Sequence, residues 1–324
     1  MNVSRLITAG LLTCATVLPV QAQDWPARPV EIVVPFGAGG SSDLLARSYA
    51  AAIQEEELLG QPLSILNVGG HSSVGNRRVM DAKPDGYTFL VTEPGLLGAH
   101  AAGVTDFGHE DYKPVALTGE VCMAILVRKD AGYDSLGDLL ADAAENPNGL
   151  VFGVNFGGLN HISGILLEQA ADAKFRFAQI GGGADNFAAL TGGQTAVASV
   201  GAAGARSFTM TKDGQPSDES QVKALALLAQ EPDDRLPGVQ TAREQGVDVS
   251  FCYGNYWLAP KETPDAIVAA FADILEEASN SDRIQTYYND TLTTPTFLRE
   301  AAFGDYLAEQ DAIVGPIARM ATSN

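Results

Sequence analysis

The run Phe36-Gly37-Ala38-Gly39-Gly40-Ser41-Ser42-Asp43 leads from an apolar segment into a helix. Glycine lets the main chain approach a ligand closely, and serine hydroxyls add donors. A helix N-terminus contributes unpaired N–H groups and a partial positive charge. Two later turns share this composition, Gly157-Gly158-Leu159-Asn160-His161 and Gly181-Gly182-Gly183-Ala184-Asp185-Asn186. Such turns can serve phosphate or nucleotide binding, acyl transfer, or capture of a free carboxylate.

A nucleotide site needs a P-loop lysine or the G-x-G-x-x-G spacing with an acidic residue for the ribose, and the first turn has neither. Acyl transfer needs a nucleophile with its base. Ser41, Ser42 and Ser163 stand near glycines and His161 lies in a glycine turn. No G-x-S-x-G elbow is present, however, and no aspartate is marked to orient His161. A serine beside a glycine turn is more often a helix cap. His71, His100, His109 and His161 are the four histidines, and none has a metal-ligand spacing with cysteine. No catalytic residue, metal or cofactor is therefore expected. Capture of a carboxylate fits best. Any one turn can be a mere tight connection, but three in one chain favour a binding cleft.

The elements that must position these turns follow a regular grammar. Strands are expected at residues 30–35, 63–68 and 87–92, with helices at 43–59 and 74–81 and a turn at Lys83-Pro84-Asp85-Gly86. A strand at 121–127 precedes a helix capped by Ser135. Strands at 151–154, 175–180 and 196–200 then each run into a glycine turn and a helix. A strand at 222–228, a short helix at 240–245 and an extended stretch at 247–259 come next. Helices from Thr263-Pro264, from Asp282 and over 303–317 close the chain. Alternating βα units imply parallel sheets covered by helices, with ligands outside the carboxyl ends of the strands. Two such sheets facing each other would make a cleft.

Residues 1–22 have the pattern of a secretory signal: Arg5, an apolar run over 6–18, and Val20 and Ala22 at the −3 and −1 positions. Leu12-Thr13 makes a poor lipobox before Cys14, and no later stretch is apolar enough for a membrane helix. The expected product is exported and not membrane-embedded. The formal charge of −20, or −21 once Arg5 is lost, disfavours nucleic acid and anionic membrane surfaces as partners. It leaves room for a small anion in a locally positive site.

The segment WPARPVEIVVPFGAGGSSDLLAR at residues 25–47 resembles the opening of the Bug-type periplasmic solute-binding receptors of the tripartite tricarboxylate transporter family. The resemblance continues through PDGYTFL at 84–90, NFGGLNHISGILLEQAA at 155–171 and GGGADNFAALTGGQ at 181–194. It ends with LPGVQTAREQG at 236–246 and YWLAPKETP at 256–264. It implies an α/β, two-domain periplasmic-binding-protein (Venus flytrap) fold, each domain a mainly parallel sheet flanked by helices. It also implies a monomer that carries a small organic carboxylate to the permease subunits of a tripartite tricarboxylate transporter.

Carried over, the first grip is the Phe36, Gly37, Ala38, Gly39 and Gly40 main chain with Ser41 or Ser42, and Asp43 fixes the loop. The second is Gly157, Gly158, Asn160 and His161; His161 either touches ligand or caps its own loop. In the third, Gly182 and Gly183 lead to Asp185 or Asn186 at the distal end of the ligand. Thr92 and Gly201 complete the expected set. Where many members place a polar pair, this chain has Val200-Gly201-Ala202. The missing acid argues against an amino-acid ligand and for a carboxylate with an apolar or bulkier body. Ile180-Gly181, where a tyrosine and a polar residue are common, again makes the pocket less polar.

The implied domains are residues 23–120 with 255–324, and residues 121–254 including the hinge crossings. Cys122 and Cys252 fall one in each crossing strand, so an exported protein is expected to join them, the alternative being two buried thiols. Tyr253, Tyr256 and Trp257 either pack in the core or form a wall of the cleft. A carboxylate sensor for signalling is the alternative function, and an exported hydrolase a weaker one.

Overall fold

The computed structural model describes residues 25–321 apart from Gly70, Gly182 and Lys212, so the expected signal segment 1–22 lies outside the described residues. The first lobe begins with β1 (Val30–Val34), α1 (Ser41–Glu55), β2 (Leu63–Asn67), α2 (Ser72–Met80), β3 (Thr88–Thr92) and α3 (Gly95–Ala101). Next come β4 (Tyr112–Arg128), α4 (Leu136–Glu145), β5 (Val151–Val154), α5 (Leu159–Ala171) and β6 (Arg176–Gln179). They are followed by α6 (Gly183–Thr191), β7 (Val197–Gly201), α7 (Ala202–Thr209) and β8 (Val222–Leu227). The chain then returns through β9 (Cys252–Pro260), α8 (Asp265–Ser279), α9 (Asp282–Asp290), β10 (Thr294–Arg299) and α10 (Glu300–Ala321).

Hydrophobic periodicity explains the elements. Leu45, Ala46, Tyr49, Ala52 and Ile53 recur at helical spacing on α1, and all are buried. In β1, Val30, Ile32, Val33 and Val34 are fully buried, as in a parallel strand covered on both faces. Ser135 caps α4 reciprocally with Asp138. Among the described residues no helix is long and apolar enough to cross a membrane.

The strands form one ten-stranded sheet in the order β2-β1-β3-β9-β4-β7-β5-β6, with β8 and β10 also on β4. β4 is seventeen residues long and is shared by both lobes. Tyr112 to Cys122 pairs antiparallel with β9, while Met123 to Val127 pairs antiparallel with β7. The expected strand at 121–127 is thus only the end of β4. Pro114 and Gly119 look like breakers, but the ladder absorbs them as register shifts, with Gly119 at φ +77°.

Direction then decides where the strand ends point. β3 is antiparallel to β9, which is antiparallel to β4, so β3 runs with β4; β7 runs against it. Thr92 pairs with Tyr256, itself opposite Leu117, and Gly201 pairs with Met123. The carboxyl ends of β3 and β7 therefore approach the crossing from opposite sides.

At that crossing Cys122 and Cys252 are register partners and are joined by a disulfide. Met123 N–H donates to Phe251 O at 3.0 Å, and Phe251 N–H to Leu228 O at 2.8 Å. Trp257 is core: its Nε1–H donates to Thr118 Oγ1 at 2.8 Å and its ring meets Tyr49 edge-on. Tyr256 is equally buried, against Phe303 and Tyr306.

Three local expectations need correction. Residues 240–245 form a turn rather than a helix, held by reciprocal bonds between Thr241 and Glu244. β10 was unexpected because Pro295 and its threonines read as loop; it pairs only with β4, on a ladder that shifts register. α3 begins only two residues past β3, after Glu93 and Pro94, where no element is expected from the sequence.

Protein beginning at Gln23 is expected to take up no alkylating agent until reduced, and two equivalents afterwards, by intact mass. The Cys122→Ala, Cys252→Ala double variant should melt several degrees lower. By loop-closure entropy a bridge across a separation of 130 residues contributes about 4–5 kcal/mol.

Candidate functional site

No side chain caps α1. Its flanking residue Gly40 is extended, and Asp43 Oδ2 takes the N–H of Gly39 at 2.8 Å instead. Asp43 is buried and holds the loop together. Arg47 Nε–H donates to Oδ2 at 3.0 Å and Asn67 Nδ2–H to Oδ1 at 2.9 Å. Burial pushes the Asp43 carboxyl up, yet Arg47, the Gly39 N–H and Asn67 outweigh it and hold the group below the usual carboxylate range. Asn67 also donates to Phe36 O at 3.3 Å, and Phe36 packs against the first-lobe core. Gly37, Ala38, Gly39, Gly40 and Ser41 remain exposed, whereas Ser42 is buried and donates to Asn255 Oδ1 at 3.3 Å. Ser41 is thus the exposed serine of the pair.

The second-lobe turns are tied by side chains that face inward. His161 is buried and its Nδ1 accepts the Gly157 N–H at 3.1 Å, which places the ring proton of the neutral form on Nε2. Burial pushes His161 down to about 4, so the ring is neutral at physiological pH. In this geometry it caps its own loop. Asn160 Oδ1 accepts from the N–H of Asn155 at 2.9 Å and of His161 at 3.0 Å. Asn160 and Asn186 both donate to Gly181 O, at 3.1 and 2.7 Å, so the second turn is stitched to the third. Gly158 flanks α5 with no capping side chain, and Gly183 and Asp185 are exposed. Gly182 lies outside the described residues.

The lobes meet here. A Cβ on Gly98 of α3 would stand 2.8 Å from Gly157 O, so only glycine allows this approach. Tyr253, buried on β9, joins the other side. A Cβ on Gly201 would lie 3.1 Å from its hydroxyl, and the Ser41 side chain and Glu93 carboxyl both act on its phenol. Thr92 is fully buried, and its Oγ1 has no hydrogen-bond partner among the described residues. Glu93, missed in the sequence, is the residue immediately after β3; the rule that ligands sit past strand carboxyl ends was the signal that could have found it. Glu93 thus sets a carboxyl beside Tyr253, whose hydroxyl also borders Gly201 of the other lobe. No group of metal-ligating side chains occurs among the described residues. An open concavity of about 560 Å3 beside Phe187 and Phe208 is lined by none of the expected site residues.

Two α/β lobes on shared strands, with uncapped helix N-termini and glycine turns meeting at the crossing, define a two-domain solute-binding protein. The chain belongs to the tripartite tricarboxylate transporter family receptors (TctC), whose family model matches residues 45–319. It is 33% identical over 301 residues to an Agrobacterium vitis protein described from the TAR-I ttuE-ttuC' intergenic region, covering 90% of this chain and 83% of that one. It is 26% identical to BugT of Bordetella pertussis, covering 96% and 95%. Among solved structures, MatC from Rhodopseudomonas palustris with bound malate is 26% identical, covers 91% of this chain and 100% of that one, and superposes with a TM-score of 0.77. Rpa4515 of R. palustris with adipate, at 24% identity and a TM-score of 0.81, covering 92% and 98%, shares the fold.

Asp43→Ala is expected to lower stability by about 2 kcal/mol, the scale of lost bonds to a charged group, in a denaturant titration. Because the folded Asp43 is more acidic than the unfolded one, its contribution is present above the unfolded carboxylate range and lost as pH falls through the folded value. Gly39 has φ +86° and open space where a Cβ would go, so strain rather than a clash disfavours a side chain. Gly39→Val should therefore distort the loop at a cost of about 1–2 kcal/mol, and calorimetry should show ligand affinity falling at least about tenfold.

Proposed function

We propose that this protein is an extracytoplasmic receptor that closes around a small organic carboxylate and delivers it to the permease subunits of a tripartite tricarboxylate transporter. The observation that carries this reading is that the uncapped N-termini of α1 and α7, one from each lobe, meet at Tyr253: the Ser41 side chain acts on its phenol, and a Cβ on Gly201 would lie 3.1 Å from its hydroxyl. In this reading the N–H groups of α1 and the Ser41 hydroxyl hold an anion together with those of α5 and α6, without a lysine or arginine. Membership of the receptor family and the malate in its 26% identical relative support the same ligand class.

In this reading residues 1–22 are a signal peptide and the mature protein works in the periplasm as a monomer. Residues 23–120 with 255–324 form one domain and residues 121–254 the other. Closure brings the two sets of amides to one ligand, which shifts the open–closed equilibrium. Asp43, Asn160, His161 and Asn186 position the loops, while Ser41, Thr92, Gly157, Gly183, Asp185 and Gly201 line the ligand. The protein acts by binding rather than catalysis, since His161 spends its Nδ1 on its own loop and Ser163 Oγ donates to Leu159 O at 2.8 Å.

Thermal shift against mono-, di- and tricarboxylates, aromatic acids, amino acids and sugars tests this. A cognate carboxylate at about 100 times its Kd should stabilise the protein by about 2.7 kcal/mol, a rise of several degrees. A response to sugars alone would overturn the reading.

A further inference from the structure

Glu93 stands where the first-lobe sheet opens toward the second lobe. It is only partly exposed, and its carboxyl makes no hydrogen bond or ion pair with any described residue. The ionisable groups that face it are the phenols of Tyr253 and Tyr256 on β9. Behind them stand Tyr287 of α9, Tyr306 of α10 and Glu120 of β4. On its own connection no titratable residue precedes His100 at the end of α3. On the α1 side Asp43 is occupied by Arg47, Asn67 and Gly39, and in the second lobe His161 is neutral. Among the described residues no cation shifts Glu93, whose carboxyl is affected by burial alone. Two hydroxyls of the adjoining ladder, Thr92 Oγ1 and Tyr256 OH, are fully buried and also lack a partner among the described residues. Glu93 is the partly exposed, unpartnered polar group at this end of β3.

A carboxylate ligand and an ionised Glu93 would share this poorly hydrated space with no positive side chain between them. Two carboxyl groups so placed are held together by a shared proton, as one of them cannot stay charged. We propose that Glu93 meets the ligand as a neutral carboxylic acid, donating its O–H to a ligand carboxylate oxygen, so that capture takes up one proton from solvent. The proposal rests on the carboxylate reading above and deepens it: Glu93 determines which form of the site accepts the anion. Burial already pushes the free group up to about 7, so the proton is within reach at neutral pH.

The test is calorimetric titration of protein beginning at Gln23 with malate, succinate, adipate and benzoate at pH 6 and pH 8, in buffers of different ionisation enthalpy. Benzoate is ionised across that window, whereas the second carboxyls of succinate and adipate are still partly protonated at pH 6, so the proton count is read at pH 8, where every probe is ionised. The protonated fraction of Glu93 falls from about nine-tenths to about one-tenth, so the bound probe is expected to bind about tenfold more weakly at pH 8. The buffer dependence at pH 8 should report close to one proton taken up per ligand. Glu93→Gln keeps the shape and an N–H donor, and should retain the pH 6 affinity while losing the pH dependence.

Proton uptake by the unaltered protein keeps the result independent of how the variant folds. Binding of a probe with equal affinity at both pH values and no proton uptake overturns the role of Glu93 and leaves the carboxylate reading standing. So does a pH dependence that persists unchanged in Glu93→Gln. Aspartate or glutamate binding more tightly at pH 8, and lost in Glu93→Gln, would make Glu93 a counter-charge for an ammonium and overturn the proposal. Failure of every carboxylate at both pH values would remove the carboxylate reading and this inference together.

Discussion

The pairing of β4 with β9 is the constraint on which the molecule depends. Two strands paired in one antiparallel ladder cross between the lobes side by side, and the Cys122–Cys252 bridge ties them at the point where β4 exchanges its first-lobe partners for those of the second lobe. Because β3 runs with β4 and β7 against it, the same ladders aim both sets of strand ends at one gap. The site is therefore a product of strand direction. Loop chemistry matters only because the ladders deliver the loops to each other.

Within that gap the polar side chains divide their work. Asp43, Asn67 and Arg47 shape the first loop; Asn160, His161 and Asn186 shape the second and third. All spend their hydrogen bonds on the main chain or on one another. What is left for a ligand is mostly backbone N–H, a serine hydroxyl, and the tyrosine and glutamate at the floor. A dipole array already oriented in this way costs little reorganisation when an anion arrives.

Much of the fold was legible because the α/β grammar is local. Strand, glycine turn and helix follow one another within a few residues, and each has its own period. The full length of β4 was not legible, since Pro114 and Gly119 look like breakers until a partner ladder carries them. β10 failed for the same reason, as Thr294-Pro295-Thr296 has no strand character apart from its pairing with β4. At the site, composition exposed the three turns but left the role of His161 open; only its distance to the Gly157 N–H separates a cap from a ligand contact. The place of Glu93 just past β3 was open to the rule that ligands sit beyond strand carboxyl ends, but its meaning comes from Tyr253, which the fold brings beside it from a distant part of the chain.

The absence of lysine or arginine from the anion grip has a bearing on how ions in the medium act. In the proposed closed form the main-chain dipoles are fixed and enclosed, so dissolved salt weakens them little. The protein around them carries a formal charge of −20, and that field is screened beyond about 8–10 Å at ordinary ionic strength. Under the proposed function, salt lowers the repulsion a dianion meets on approach while scarcely loosening its hold once enclosed. Loading is then expected to be faster in brine, with residence time nearly the same.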